Sequence, residues 1–516
     1  MHMKMKLIHK CISAVLLLIC IVLPSGCKKY LDIKPLDQLT GNNFFKSKED
    51  VEASMTSIYL KFFQKISETW VIGAVGESRS GEAFAVINSN SYSTRKVVEV
   101  LGQNNMNSAI NDQPWHDTYH FEQITNWTAY YQVIQSANIL ISKLNEGIPN
   151  LSEADKNRYI GEAVFMRCFT YFWMVRLYGD VVYYTKAYQS EPLPRENMVS
   201  VMNKCIADMK QYKDNLPWTY NDPSRRGVRA NRGSALALIM HMNMWNAGFD
   251  AGHTTAYYED AVKSGQELLT QNGNAFRLLP IENWAEVIKG RSEESLFEFY
   301  QSVNYGDNTS PLAPFADTFL HYPYKFPASA YQTSLMAFKS IYMTKLFPVD
   351  EADKRKDVWY ADIYSNDGHF MMPKFAGNIY ASGNQDKNPD NSYLIFRLAD
   401  AILLQAEALA ELGRDAEAIP LLNQVRARAG AVPYNAVQGG LKDFIFLERR
   451  RELQGEGHTW FDLVRTKRIL SQQWASHPLT VEQFNRGAWT WPIDKNSLND
   501  NPGMTLNQYW VSGAGI

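Results

Sequence analysis

Leu404-Gln405-Ala406-Glu407-Ala408-Leu409-Ala410-Glu411-Leu412-Gly413, followed by Glu417-Ala418-Ile419, is the stretch whose reading decides the fold. The first ten residues carry strong helix formers with small side chains on one face. Gly413 lets two antiparallel helices turn tightly. Ala418, five residues on, lets the second helix pack close against the first. Such a pair cannot bury its apolar face alone and must stack on neighbouring pairs.

The same periodicity runs along the rest of the chain. Val51 to Ile66 spaces Val51, Met55, Ile58, Tyr59 and Phe62 on one face. Trp127 to Leu144 does likewise. Ser152-Glu153-Ala154-Asp155 reads as an N-cap with an acidic first turn, opening a helix that Gly179 stops after Tyr178. Further helices are predicted at Arg195 to Leu216, Arg229 to Ala247, Tyr257 to Gln271, Ala399 to Leu412, Ala416 to Arg428, Leu441 to Gln454 and Thr459 to Leu470. Met242 to Gly248 with Tyr257-Tyr258-Glu259-Asp260-Ala261 forms a second candidate pair with a longer turn. The spacing resembles tetratricopeptide repeats. The expected fold is therefore all-α, a tetratricopeptide-like helix-pair scaffold with long irregular insertions. Scaffolds of this kind build docking surfaces.

Three stretches escape the helical pattern: Thr69 to Asn126, Gln301 to Asn391 and Ser471 to Ile516. Loops this long within a compact chain are uncommon and carry function more often than not.

The 516 residues are 45% hydrophobic and 21% charged, which excludes bulk disorder and a polytopic membrane protein. A net charge of -2 leaves no basic excess for phosphates, so nucleic acid is not an expected partner. Lys4, Lys6 and Lys10 precede an apolar run from Ile12 to Leu23, the pattern of a secretory signal. That run is shorter than the roughly 20 residues a spanning helix needs. It ends in Leu23-Pro24-Ser25-Gly26-Cys27, which resembles a bacterial lipobox. Cys27 is then lipidated and anchors the chain to a membrane; the alternative is cleavage and release. Cys168 and Cys205, both in helical patterns, read as buried small hydrophobes. The organisation expected is a signal peptide over 1–26, an N-terminal region over 27–250 with a ligand-loop insertion at 69–126, and a C-terminal region over 251–516.

Several segments together resemble the SusD/RagB family of outer-membrane lipoproteins. They are Cys27-Lys28-Lys29-Tyr30-Leu31-Asp32-Ile33-Lys34-Pro35, Gly161-Glu162-Ala163 through Arg167, Val175-Arg176-Leu177-Tyr178-Gly179-Asp180-Val181, and Phe396-Arg397-Leu398-Ala399-Asp400. Leu422 to Gly430, Glu448-Arg449-Arg450-Arg451-Glu452-Leu453 with Gly455-Glu456-Gly457-His458, Trp460 to Arg465, Trp491-Pro492-Ile493-Asp494 and Asn501-Pro502-Gly503 continue the pattern. The resemblance spans essentially the whole mature chain. It implies an outer-membrane location facing the cell exterior, a SusC-like TonB-dependent transporter as partner, and a glycan as ligand, with a peptide as the alternative. It implies binding without catalysis. Arg176, Asp180, Arg397, Asp400, Glu448, Arg451 and Asp462 read as scaffold charges, and Arg449-Arg450-Arg451 as a helix surface with local ion pairs.

Sugar rings offer apolar C–H faces and a rim of hydroxyls, so their sites pair flat aromatics with amides, carboxylates or guanidinium groups. In the first insertion the candidates are Trp70, Glu77, Arg79, Trp115 and Tyr119, beside Asn111 and Asp112. In the second they are Tyr305, Tyr322 and Tyr324, beside Asn304, Asp307 and Asn308. The resemblance likewise implies a site built from the segment after the first helix and loops of the second half. The competing reading is that each aromatic pins its loop to the scaffold. Trp127, Trp173, Trp245, Trp460 and Trp491 are expected in the core.

Three catalytic signals are weaker. His116-Asp117-Thr118-Tyr119-His120 has two His one turn apart but lacks the Glu of zinc proteases and a third ligand. Gly76-Glu77-Ser78-Arg79-Ser80 lacks the final glycine of a nucleophile elbow. No spacing singles out a carboxylate pair for glycoside hydrolysis, which keeps a surface glycosidase as the least favoured reading. No catalytic residue, metal or cofactor is expected, and no spacing demands a structural calcium.

Overall fold

The computed structural model describes residues 44–67, 73–86, 92–112, 119–301, 313–376, 391–499 and 501–511. Cys27, Trp70, Trp115 and Tyr305 lie outside them.

Helix α1 (Lys48–Ser67) buries Val51, Met55, Ile58 and Phe62, the face its spacing predicts. It leads to α2 (Thr128–Glu146) and α3 (Glu153–Tyr178). The Ser152 side chain accepts the Asp155 N–H, Glu153 and Asp155 sit at the positive helix end, and Gly179 at φ 74 closes α3. Every residue from Tyr159 to Tyr178 is buried, so α3 is enclosed on all sides. The scaffold continues through α4 (Met198–Tyr212), α5 (Arg232–Phe249), α6 (Thr254–Gln271), α7 (Leu398–Glu411), α8 (Asp415–Arg428), α9 (Leu441–Leu453) and α10 (Thr459–Arg465). Each helix from α1 to α7 packs on its successor, and α7 also holds α8 and α9, the nearest-neighbour stacking of a repeat array. Gly413 takes φ 75 at the α7–α8 turn, and Ala418 is fully buried against the partner helix. The five core tryptophans and both cysteines, present as free thiols, are buried as expected. A single hydrophobic cluster runs from Val51 to Trp510, so the 250/251 division separates sequence regions that share one core.

Where the helical expectation fails, a specific competitor wins. Arg195 does not open α4. Arg195–Glu196 forms β3, paired antiparallel with β2 (Val181–Val182), and the Asn197 side chain caps the Val199 and Ser200 N–H groups to start the helix later. The insertions also hold more structure than an irregular reading expects. The first contains a π-helical turn (Gly73–Glu77), helices Tyr92–Gly102 and Met106–Asn111, and β1 (Ala83–Ala85). Strand β1 pairs antiparallel with β5 (Met336–Phe338) of the second insertion, while β4 (Ser295–Phe299) pairs with β6 (Tyr393–Arg397) in the core.

The charges of α9 are not on a surface. Glu448, Arg449, Arg450, Arg451 and Glu452 are all buried, because α9 packs against α7, α8 and the short helix Ser340–Leu346, and Arg450 reaches the Trp474 carbonyl. Arg449 reaches Asp400 at 2.9 Å and Asp462 at 3.0 Å. Glu448 receives Arg355 at 2.7 Å and Arg426 at 2.6 Å. Glu452 receives Arg355 at 2.9 Å and Arg397 at 2.6 Å, and Arg397 continues to Glu294 at 3.0 Å and Glu456 at 2.7 Å. Lys374 closes the lattice on Glu456 at 2.6 Å. The scaffold reading of these charges holds; the solvated-face reading of the arginine run does not. Arg176 differs: among the described residues it has no ion-pair partner and lies between the Phe172 and Phe461 rings, at 4.0 and 4.2 Å.

Candidate ligand-binding surface

The first insertion is clamped onto the C-terminal half at its π-turn. Gly76 approaches Gly457 so closely that a Cβ on Gly76 would lie 2.5 Å from the Gly457 Cα. Glu77 follows, and its carboxylate accepts the Gly457 N–H at 2.8 Å. Arg79 donates to the backbone carbonyls of Trp489 at 2.8 Å and Ala488 at 3.1 Å, donates to Asn104 Oδ1 at 3.2 Å, and lies 4.1 Å over the Trp460 ring. Both side chains are 2% exposed. Their reading as ligand contacts on an open loop is therefore corrected: their polar atoms are engaged by the protein, and they hold the insertion in place.

Burial pushes the Glu77 carboxyl up to about 7 and the Arg79 guanidinium down to about 9. Because the folded carboxyl binds its proton more tightly than the unfolded one, its stabilisation is complete below the unfolded value of 4.5 and is lost as pH rises towards 7. Replacing Glu77 by Gln removes this slope, a term of about 3 kcal/mol across that window. Urea unfolding at pH 5 and pH 7.5 checks it. A wild-type and variant difference that is the same at both pH values contradicts the assignment.

The β1–β5 pairing carries the clamp outward to the second insertion. Val86 donates to the Leu335 carbonyl at 3.0 Å, and the Leu335 and Met336 N–H groups both donate to Thr318 at 2.9 Å. Beyond Thr318 the chain forms a compact loop over 321–331. Tyr322 N–H donates to the Tyr331 carbonyl at 2.9 Å and Tyr324 N–H to the His321 carbonyl at 2.8 Å. Tyr322 is 47% exposed, and its ring meets Phe326 edge-on at 5.5 Å. Lys325 pairs with Asp317 at 2.5 Å and lies 4.6 Å from the Tyr331 ring centre. His321 Nε2 lies 3.2 Å from the His369 carbonyl. Tyr322 and Phe326 thus form an edge-on aromatic ledge on a loop that also carries the half-buried Tyr324 and Tyr331. Phe326 and Tyr331 were not singled out from sequence, although Phe326-Pro327 repeats the aromatic–proline pattern of Tyr322-Pro323.

Tyr119 stands apart from that ledge. It is half-buried and stacks on Phe121 at 5.5 Å, and Phe121 meets Trp491 at 6.1 Å. Trp491 in turn lies 5.8 Å from the Arg79 guanidinium, so an aromatic chain joins Tyr119 to the clamp. Asn111, Glu122, Gln123 and Asn126 surround a cleft of about 440 Å³ beside Ile493–Asn496.

Ser78 of the elbow-like motif is fully buried. Residues 116–118 of the His motif lie outside the described residues, and His120 pairs with Glu122 at 3.2 Å. Glu298 is also pushed up to about 7 by burial, but like Glu77 it is sealed in the core. His241, Asp400 and His458 bring ligand atoms within 4.8 Å of one another. Asp400 Oδ2 is already 2.7 Å from His241 Nε2, and its Oδ1 accepts from Arg449. Burial holds His458 down at about 4. This cluster is a node of the buried ion lattice.

Comparison with known proteins agrees with the architecture. Residues 360–510 match the SusD family model, and residues 30–243 match a model described as starch-binding and associating with the outer membrane. SusD-like protein P38 of Formosa agariphila is 26% identical over 95% of this chain and 97% of its own length. Surface glycan-binding protein A from Bacteroides uniformis shares the fold at 21% identity, with a TM-score of 0.66 over 90% of this chain and all of that one. A SusD homolog from Bacteroides thetaiotaomicron superposes with a TM-score of 0.80 at 36% identity, covering 90% of this chain and 98% of its own. The chain belongs to the SusD family.

Proposed function

We propose that this protein is a lipid-anchored, cell-surface glycan receptor of the outer membrane. It captures oligo- or polysaccharide and passes it to a SusC-like TonB-dependent transporter, breaking no bonds. The observation that carries the reading is the aromatic ledge at 321–331, a preorganised loop that leaves Tyr322 open to solvent. Family membership and the fold shared with a surface glycan-binding protein support it. The helix-pair array supplies a rigid base, so the ledge loses little conformational entropy on binding.

Calorimetry of the full-length protein in detergent, titrated with starch, laminarin and xyloglucan, tests the reading. Binding of at least one is expected. Tyr322→Ala is expected to weaken that binding about tenfold, equivalent to about 1.4 kcal/mol of stacking, with unfolding unchanged. Heat from a peptide mixture with none from any polysaccharide would move the ligand class to peptides. Co-purification of a β-barrel transporter from native membranes tests the partner.

A further inference from the structure

A second cleft lies away from the ledge, between the start of α2 and the C-terminal segment. Trp127, Tyr131, Tyr184, Gln189, Glu191 and Asn501 line a cavity of about 240 Å³. Its floor is aromatic and rigid. Trp127 meets Tyr131 edge-on at 5.4 Å, and Tyr131 stacks with Tyr184 at 6.1 Å with 16° between their planes. The Tyr131 hydroxyl accepts the Val182 N–H at 2.9 Å and donates to the Val182 carbonyl at 3.1 Å, which fixes the ring. Trp127 is 6% exposed, and its indole N–H has no partner among the described residues although the ring lines the cavity.

This cavity borders the amide-lined cleft of about 440 Å³. Asn126 and Asn496 line the larger cleft, and the next residues, Trp127 and Ser497, line the smaller one. The Asp494 N–H donates to the Thr125 carbonyl at 3.1 Å, so the two wall segments run side by side. The pair therefore offers an aromatic floor at one end and Asn111, Glu122, Asn126, Asp494, Lys495 and Asn496 at the other.

We propose that these two neighbouring clefts form a second carbohydrate-contact site, selective for neutral chains. A pyranose C–H face fits the Trp127–Tyr131–Tyr184 floor, with the indole N–H at its rim beside the Gln189 and Asn501 amides, each of which donates one N–H to a backbone carbonyl, of Glu191 and Leu193, and keeps a second N–H to give. Ring hydroxyls further along meet the Asn and carboxylate groups. Glu122, Glu191 and Asp494 outnumber Lys495, so uronate or sulfated chains are repelled. The inference rests on the glycan reading above.

The test uses the full-length protein in detergent and affinity electrophoresis against starch, laminarin, xyloglucan and alginate. Tyr184→Leu removes the flat ring while keeping apolar volume, and Gln189→Ala alters a half-buried rim residue in case the first variant fails to fold. Either is expected to weaken retention by the bound neutral polysaccharide three- to tenfold, and Tyr184→Leu combined with Tyr322→Ala more than either alone. If cleft variants bind like wild type while Tyr322→Ala does not, the second site is overturned and the receptor reading stands. If alginate is retained as strongly as the neutral chains and is lost in Tyr184→Leu, the selectivity is overturned. If wild type retains none of the four, both readings fall together.

Discussion

Arg397→Met lowers the stability of the protein by about 3–5 kcal/mol, although Met nearly matches the volume of the aliphatic stem it replaces. The reason is the number of charges left behind. Arg397 is 1% exposed and serves Glu294, Glu452 and Glu456 together, with a further bond to the Glu452 carbonyl at 2.6 Å. Removing the guanidinium leaves three buried carboxylates with fewer cations. Glu456 keeps Lys374 at 2.6 Å, Glu452 keeps Arg355 and Arg428, and Glu294 keeps no ion-pair partner among the described residues. Lys374 is itself held down at about 8 by burial, so it compensates poorly at alkaline pH. Urea denaturation should show the midpoint falling with an unchanged slope. Adding Glu456→Gln to Arg397→Met should cost less than the sum of the two single variants, because the second change removes a charge the first left unpaired. Strict additivity would sink the lattice interpretation.

The lattice also sets a second pH limit. Glu448 is held down at about 2 by Arg355, Arg451 and Arg426 despite its burial, and Glu452 and Asp462 lie lower still. Carboxyls depressed in this way stabilise the fold above their unfolded values, and that support is lost as pH falls through the folded values. Glu77 and Glu298 act in the opposite sense, losing their contribution between about 4.5 and 7. Maximum stability is therefore expected on the acid side of neutrality.

What the sequence reveals divides along the range of the interactions. Helices α3 and α7–α8 are legible because their determinants are local: the Ser152 cap, Gly179, Gly413 and Ala418 lie within a few residues of what they control. The strands are not legible, because β1 finds its partner more than 250 residues away and three-residue segments carry no periodicity. Glu77 and Arg79 look like loop residues among Gly and Ser. Their burial is decided by Gly457, 380 residues beyond Glu77, and by Trp489, 410 residues beyond Arg79. The arginine run of α9 misleads for the same reason, since Glu and Arg at helical spacing describe an exposed face equally well until distant partners cover it. Tyr322 is legible as an exposed loop aromatic, because Pro323 beside it marks a turn. Trp127 is legible as core, but its opening onto a cleft depends on the return of Asp494 to Thr125.

Gly76→Ala tests whether that clamp governs the ledge, and its expected cost is of the same order as the lattice variant. The added methyl would sit 2.5 Å from both the Cα and the carbonyl oxygen of Gly457, backbone atoms that no rotamer change can move. Overpacking costs about 1–3 kcal/mol where side chains can yield, and here the π-turn or the Gly455–His458 segment must shift instead. A shift breaks the Glu77 bond to Gly457 and pulls Arg79 from its carbonyls, so losses beyond about 3 kcal/mol are expected. The damage should also be local first. Hydrogen exchange is expected to quicken across residues 73–86 and at β5, which pairs with β1, while α3 stays protected. Since the ledge continues directly from β5 through Thr318, glycan affinity should fall although no residue of the ledge has changed. Faster exchange with undiminished binding would show that the ledge is held by the second insertion alone, and uniform exchange across the whole chain would show that the clamp is part of the global fold.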